Sequence, residues 1–499
     1  MPTLLDVLET GHDNHPALIV PGGPRLTYRR LREEVWRAAD YLAACGIRRG
    51  DRIALVYPNS AEAILLFIAA AVAGTAAPLN PTYKQEEFAF YLADTRARVL
   101  LVPPSDSAAA RRALPEGGSA VEATLDEHGS LRFEPAINRV SSPTAMVPPS
   151  DDDVALVLHT SGTTSRPKMV PLRHRNLAAS VANIVRCYRL GAEDVSLCVM
   201  PLFHVHGLIA STLSSLGSGG TVVVPSRFSP FQFWGLVGEH RVSWYSAVPT
   251  IHQLLVGRAA HGRHAAAAPS LRFARSCSSS LPPQLMAQLE DLLGVPVLEA
   301  YGMTEASHQM ASNPLPPKER RPGSVGRGTG VEIAILGEHC DLQPPGVAGE
   351  VAVRGTNVMD GYESDPGATQ EAFCDDWFRT GDQGTLDRAG YLTLLGRIKE
   401  LIIRGGEKIA PREIDEILLR HPAVAEAVTF GVPNRSWGEE VAAAVVLKGE
   451  VGKRELADFC REHMADFKVP RQFFLVSEIP RTSTGKIQRR HVAAAFTQL

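Results

Sequence analysis

Short apolar runs separated by segments of helical length set the rhythm of most of the chain. Arg52-Ile53-Ala54-Leu55-Val56 and Ala97-Arg98-Val99-Leu100-Leu101-Val102 read as strands, and Ser60 to Ala73 between them has the length and apolarity of a buried helix. That order is a βαβ unit, and its recurrence predicts an α/β fold with a parallel sheet. Val154 to Leu158, Leu197 to Met200, Thr221 to Val224 and Ser243 to Val248 continue the strand series. Ser141 to Ser150, rich in Ser and Pro, reads as a linker, and Arg258 to Pro269, rich in Ala and His, as a surface excursion. From Glu350 the alternation tightens into a β-like pattern, seen in Glu350 to Arg354 and Tyr391 to Leu395.

Beyond Gly396 the character changes. Leu401-Ile402-Ile403 is a short strand, Gly405-Gly406 a turn, and Pro411 opens a helix at a position where its missing N–H does no harm. Val441 to Leu447 then reads as a buried strand and Lys453 to His463 as a helix. The shift predicts a boundary between an N-terminal domain, 1–395, and a C-terminal α+β domain, 396–499.

Composition narrows the function classes. The 499 residues carry 51 Lys+Arg against 54 Asp+Glu, a formal charge of −3, so no basic surface for nucleic acid is expected. The N-terminus lacks the basic and apolar regions of a signal peptide. Ala63 to Leu79 is shorter than the ~20 residues of a membrane span and contains Gly74 and Pro78. A cytoplasmic protein without a membrane span is expected; oligomeric state is open. The seven cysteines are odd in number and widely spaced with no Cys-x-x-Cys, which predicts neither a disulfide framework nor a zinc site. Only nine of the 51 basic residues are Lys, so each Lys stands out as a chosen point charge.

The most distinctive loop follows the strand that begins at Val154. Thr160-Ser161-Gly162-Thr163-Thr164-Ser165-Arg166-Pro167-Lys168 crowds hydroxyls and small residues before a Lys, the chemistry of a phosphate cradle, although its glycine spacing is not that of a P-loop. Tyr301-Gly302-Met303-Thr304-Glu305 follows another apolar run and offers an aromatic face, a tight turn, a hydroxyl and a carboxylate. Trp377 to Asp382 ends in a carboxylate suited to a ribose diol, Gly396-Arg397-Ile398-Lys399-Glu400 sits on the domain boundary, and Pro480 to Lys486 carries a late Lys on a Gly-containing loop. Each is weak alone; in this order they are specific.

With these motifs in this order, the chain resembles, end to end, the adenylate-forming superfamily of acyl-CoA synthetases, amino-acid-activating domains and firefly-type luciferases. The resemblance implies a large N-terminal region of two α/β subdomains plus a distorted β-barrel, capped by a small mobile α+β C-terminal domain. It implies ATP, Mg²⁺ and coenzyme A as ligands beside a small carboxylic acid. By resemblance, Thr160, Ser161, Gly162, Thr163, Thr164 and Lys168 hold the β- and γ-phosphates, Tyr301 and Gly302 lie at adenine, Thr304 is near the α-phosphate and Glu305 binds Mg²⁺. Asp382 and Arg397 take the ribose hydroxyls. Lys486 bridges the acid and the α-phosphate, Lys399 is the hinge, and Gly405 and Gly406 face pantetheine. Ser165 departs from the glycine many members have there.

The acid pocket is read from Ser276-Cys277-Ser278-Ser279-Ser280-Leu281, where many relatives have small apolar residues. Cys277 and Ser278 shorten the pocket and make it polar. His204, His206 and His308 join Ser278 as candidate partners of the acid, and an imidazolium would add positive charge. A second substrate carboxylate needs such partners, because burying it unpaired costs several kcal/mol. A short dicarboxylate is expected, and the stretches around Thr160, Val248 to Gln253, Arg275 to Ser278, Leu298 to Tyr301 and Ser312 to Pro316 resemble the oxalate–CoA ligases of plants and fungi. Malonyl-CoA synthetases, which usually carry Arg where this chain has Ala300, stand as the alternative, as does loading of a carrier protein in trans.

Overall fold

The computed structural model describes residues 2–105, 107–134, 146–160, 167–259, 270–481 and 487–497. The candidate phosphate-loop residues Ser161, Gly162, Thr163 and Thr164, the candidate Lys486, most of the excursion and half of the linker lie outside the described residues.

Four sheets organise the chain. In the seven-stranded sheet, Arg52–Leu55 runs parallel to both Thr75–Pro78 and Ala97–Val102, the βαβ arrangement expected from the apolar runs. The connecting helix Ala61–Ala73 is capped by the Ser60 hydroxyl on the Ala63 N–H and is buried along its whole length except Glu62. Its pattern shows no polar stripe because the sheet lies on one side and the helix Tyr28–Ala44 packs on another.

The nine-stranded sheet carries Val195–Leu197, Thr221–Val223, Trp244–Ala247, Phe273–Ser276 and Val297–Met303 in parallel, then turns antiparallel with His308–Ser312. The expected strand Leu197–Met200 is displaced: the ladder ends at Leu197, and Cys198 to Met200 leave it toward the segment that positions His206. A π-helix, His206–Leu213, follows, and every one of its residues is buried. Its wide turns put Gly207 against the chain, so that a Cβ there would lie 2.2 Å from the Pro201 carbonyl oxygen. π-turns of this kind recur at functional sites.

An antiparallel five-stranded sheet, Glu332–Leu336, Gly349–Arg354, Phe373–Cys374, Trp377–Leu386 and Leu392–Arg397, closes the large region. Here the cysteine expectation fails, because Cys340 and Cys374 form a disulfide. Their 34-residue separation gives no local signal, and only the folding of this sheet brings them together. The last sheet, Ile402–Arg404, Glu407–Ile409, Val424–Asn434, Gly438–Leu447 and Gln472–Val476, packs on the helices Pro411–Leu418, Lys453–His463 and Arg489–Thr497 around its own apolar clusters. Arg412 tethers it to the preceding sheet by donating to the Leu394 carbonyl at 2.9 Å. Among the described residues, no helix is long and apolar enough to cross a membrane.

Gly207→Ala should destabilise the protein by about 1–3 kcal/mol, the usual cost of overpacking. Gly191→Ala, whose Cβ would meet nothing within 4 Å, should change stability far less. Urea unfolding of the two variants against the wild type checks the contrast.

Candidate active site

The site lies beyond the carboxyl ends of the parallel strands, where open α/β sheets bind ligands. Two clusters of paired polar groups, and one buried cation with no ion pair among the described residues, define it.

The first cluster joins three residues singled out in sequence. The Tyr301 hydroxyl donates to Asp382, whose other carboxylate oxygen lies 3.0 Å from Arg397 Nε. Asp382 and Arg397 are Cα partners in the antiparallel pair of Trp377–Leu386 with Leu392–Arg397, so their side chains share one face. The Asp382 carboxylate holds the Arg397 guanidinium above its ordinary range. Burial, reinforced by Asp382, pushes the Tyr301 hydroxyl well above 10, so it stays a donor.

The second cluster links the acidic motif to the phosphate loop. Glu305 sits in the one-turn helix Thr304–Ala306 and is buried, and its Oε1 accepts from the Tyr362 hydroxyl at 3.0 Å. Lys168 Nζ lies 4.5 Å from the centre of the Tyr362 ring. Tyr362 was not predicted from the sequence, where it is one of ten tyrosines with no marked neighbour. Thr160 ends the strand Val154–Thr160, and its buried hydroxyl has no hydrogen-bond partner among the described residues. Thr160 lies in register with Lys168, which reaches the Tyr362 ring and through it Glu305, a set that fits a phosphate–Mg²⁺ group, since Mg²⁺ commonly takes one or two carboxylates and completes its shell with phosphate and water.

The acid end is built differently. Ser246 and Arg275 are Cα partners on adjacent parallel strands, which sets their side chains on one face. Arg275 is fully buried, and it has no ion pair among the described residues. Its Nε donates to the Tyr188 hydroxyl at 2.8 Å, its Nη2 to Gln309 Oε1 at 2.9 Å, and its Nη1 to Ser246 Oγ at 2.8 Å. All these acceptors are neutral. Nη1 also approaches His206 Nε2 at 3.5 Å, and Nη2 approaches His308 Nδ1 at 3.4 Å.

His206 reaches Ser246 Oγ through Nε2 at 2.7 Å and Ser278 Oγ through Nδ1 at 3.0 Å. The His206 and His308 rings lie 5.0 Å apart. Thus the structure brings His206, His308 and Ser278 together. The His204 ring lies 5.1 Å from the Phe203 ring, and its charge would disfavour protonation of His206. Burial and then the Arg275 charge hold both His206 and His308 well below 6.5, so they act here as neutral imidazoles and add no positive charge. The positive charge belongs to Arg275 instead.

Backbone strain supports this placement. Ser307 and His308 have φ of 49° and 91°, a left-handed excursion costing about 1–3 kcal/mol for a non-glycine residue. Gly302 permits it, because a Cβ there would lie 1.9 Å from the His308 carbonyl oxygen. Ser278, with φ of 72°, carries the half-buried hydroxyl at the mouth of the group. One strand over, Glu299 anchors the same loop by accepting from the Leu281 N–H at 3.0 Å.

In the C-terminal sheet, Gly405 and Gly406 have φ of 59° and 90°, and a Cβ on Gly405 would strike the Trp437 ring at 2.7 Å. The hairpin between Ile402–Arg404 and Glu407–Ile409 therefore requires glycine whether or not a ligand approaches. Lys399 stands exposed in the one-turn helix Ile398–Glu400, between the two last sheets.

The Tyr301–Asp382–Arg397 and Lys168–Tyr362–Glu305 groups and the buried Arg275 cluster stand together on one α/β frame. Residues 7–363 match the family model described as AMP-binding enzyme, and 413–486 its C-terminal domain, so the chain belongs to the AMP-binding enzyme family. It is 47% identical to the oxalate–CoA ligase of Arabidopsis thaliana over 99% of both chains. It is 44% identical to the oxalate–CoA ligase of Saccharomyces cerevisiae over 90% of this chain and 88% of that one. Among solved structures, ATP-bound MatB from Rhodopseudomonas palustris superposes with a TM-score of 0.89 at 29% identity over 99% of both chains.

Burial pushes the Glu299 carboxyl up to about 7 from an ordinary 4.5. A raised acid stabilises the fold below its unfolded value and loses that contribution as pH climbs through the folded value. Glu299→Gln should therefore gain on the wild type by up to about 3 kcal/mol between pH 5 and pH 8. Urea unfolding across that range checks it; a difference independent of pH would contradict the assignment.

Proposed function

We propose that the chain is an ATP-dependent acid–CoA ligase whose acid is oxalate. The observation that carries this reading is the buried Arg275, with no carboxylate partner among the described residues, beside neutral His206 and His308. A monocarboxylate uses its one charge at the reacting phosphorus; a short dicarboxylate has a second to place here. The relatives named oxalate–CoA ligase, alike over nearly the whole chain, support the choice of acid.

In the first half-reaction one carboxylate oxygen of the acid attacks the α-phosphorus of ATP, and the bond to diphosphate breaks. Thr160, Ser161, Gly162, Thr163, Thr164 and Lys168 hold the leaving phosphates. Tyr301 and Gly302 bound the adenine, Asp382 and Arg397 hold the ribose hydroxyls, and Thr304 lies at the α-phosphate. Mg²⁺ bound at Glu305 would neutralise charge building on the phosphates. Lys486 stabilises the negative charge that develops between acid and phosphorus.

In the second half-reaction the thiol of coenzyme A loses its proton and attacks the acyl carbon, and the bond to AMP breaks. Rotation of 396–499 about Lys399 turns Gly405 and Gly406 toward the pantetheine arm. The enzyme works in the cytoplasm, with ATP and coenzyme A at hand.

A panel of acids assayed for coenzyme A-dependent AMP release tests the reading. Oxalate should be the best substrate, with malonate weaker and octanoate inert; strong octanoate turnover with none of oxalate would sink it. Lys486→Ala should slow adenylation by roughly 10²–10³-fold, the scale of losing one transition-state donor.

A further inference from the structure

The unpaired guanidinium does more than supply charge. Arginine is donor-only and keeps its proton at every accessible pH, so any nitrogen it faces must present a lone pair. His206 turns Nε2 toward Arg275 and Ser246, and His308 turns Nδ1 toward Arg275. Both rings are neutral, so each has a single N–H, and it must sit on the opposite nitrogen.

The donors then run in one direction. Arg275 Nη1 donates to Ser246 Oγ, the Ser246 O–H donates to His206 Nε2, and His206 Nδ1–H donates to Ser278 Oγ. That leaves the Ser278 O–H, at the half-buried end of the chain, without an assigned acceptor. On the other branch, His308 Nε2–H has no hydrogen-bond partner among the described residues, although the side chain is 2% exposed.

We propose that Arg275 is the positioning and specificity-determining residue of the acid pocket: it fixes the tautomers of His206 and His308, so that Ser278 and His308 present two donors, backed by one buried charge, to the carboxylate of the acid that does not react. This rests on the ligase reading above. Each bond of the chain polarises the next, so the guanidinium acts on the acid without touching it. The sheet places the cation one strand away from Ala300, so the acid end is charged from Phe273–Ser276 and not from the residue before Tyr301.

Arg275→Gln and Arg275→Lys, with the wild type, test the proposal in three measurements. First, kcat/KM for AMP release is compared between oxalate and acetate. Arg275→Gln should lose about 10- to 100-fold on oxalate, chiefly in KM, with acetate changed little; Arg275→Lys should recover part of the oxalate loss. Equal loss on both acids would reduce Arg275 to a structural role and overturn the proposal, as would undiminished oxalate activity. Second, should the wild type prefer another dianion to oxalate, the same comparison is made with that acid; the ligase substrate is then misassigned while the Arg275 inference is still decided. Third, ¹⁵N spectra of histidine-labelled wild-type enzyme, which need no variant of Arg275 to fold, should show His206 as the Nδ1–H and His308 as the Nε2–H tautomer at pH 7. The opposite tautomers would overturn it.

Discussion

A guanidinium sealed in the interior without a carboxylate is the constraint around which the acid end is arranged. Burying a charge costs several kcal/mol unless hydrogen bonds and partners offset it. Arg275 meets that cost in part with Tyr188, Gln309 and Ser246, all neutral, and leaves the charge itself uncompensated. Removing Arg275's charge by deprotonation is closed, so the field falls on the nearest titratable groups. His206 and His308 are held neutral, by burial first and by the Arg275 charge next. The strained backbone at Ser307 and His308, and the glycine at 302 that admits it, keep an imidazole against a cation that disfavours its protonation.

The nucleotide end follows the opposite rule. Asp382 has Arg397 and Tyr301, and Glu305 has Tyr362, so its charged groups are held in place before a ligand arrives. Such preorganisation suits groups that must orient ATP, because little ordering is left for the binding step. The acid end instead keeps an electrostatic deficit that only an anion removes. One site thus combines a nucleotide end ordered by an ion pair and hydrogen bonds with an acid end whose buried cation has no carboxylate among the described residues.

Much of this was legible in the sequence, and the exceptions have physical reasons. Parallel strands followed from apolar runs at Arg52–Leu55 and Ala97–Val102 because burial on both faces leaves no polar alternation. His206, Ser278 and His308 were marked by rare residue types in short motifs. Arg275 was not, since 51 basic residues less nine Lys leave 42 arginines, and nothing local separates a buried one from the rest. Its meaning arises from register with Ser246 and from neighbours drawn from four separate segments. For the same reason the charge state of the histidines is not legible in the sequence: an imidazole's protonation depends on what faces it, which spacing cannot report. Tyr362, the early end of the strand at Leu197 and the Cys340–Cys374 disulfide are likewise products of tertiary packing.

The central claim is that the positive charge behind the acid's partners is Arg275 and that His206 and His308 meet the acid as neutral imidazoles. Calorimetric titration of oxalate into the enzyme saturated with a non-hydrolysable ATP analogue, at pH 7 in buffers of different ionisation enthalpy, tests it directly. Neutral histidines beside a fixed guanidinium predict a heat of binding that does not vary with the buffer, because no proton is taken up. Uptake of about one proton per oxalate would place an imidazolium in the complex and contradict the account.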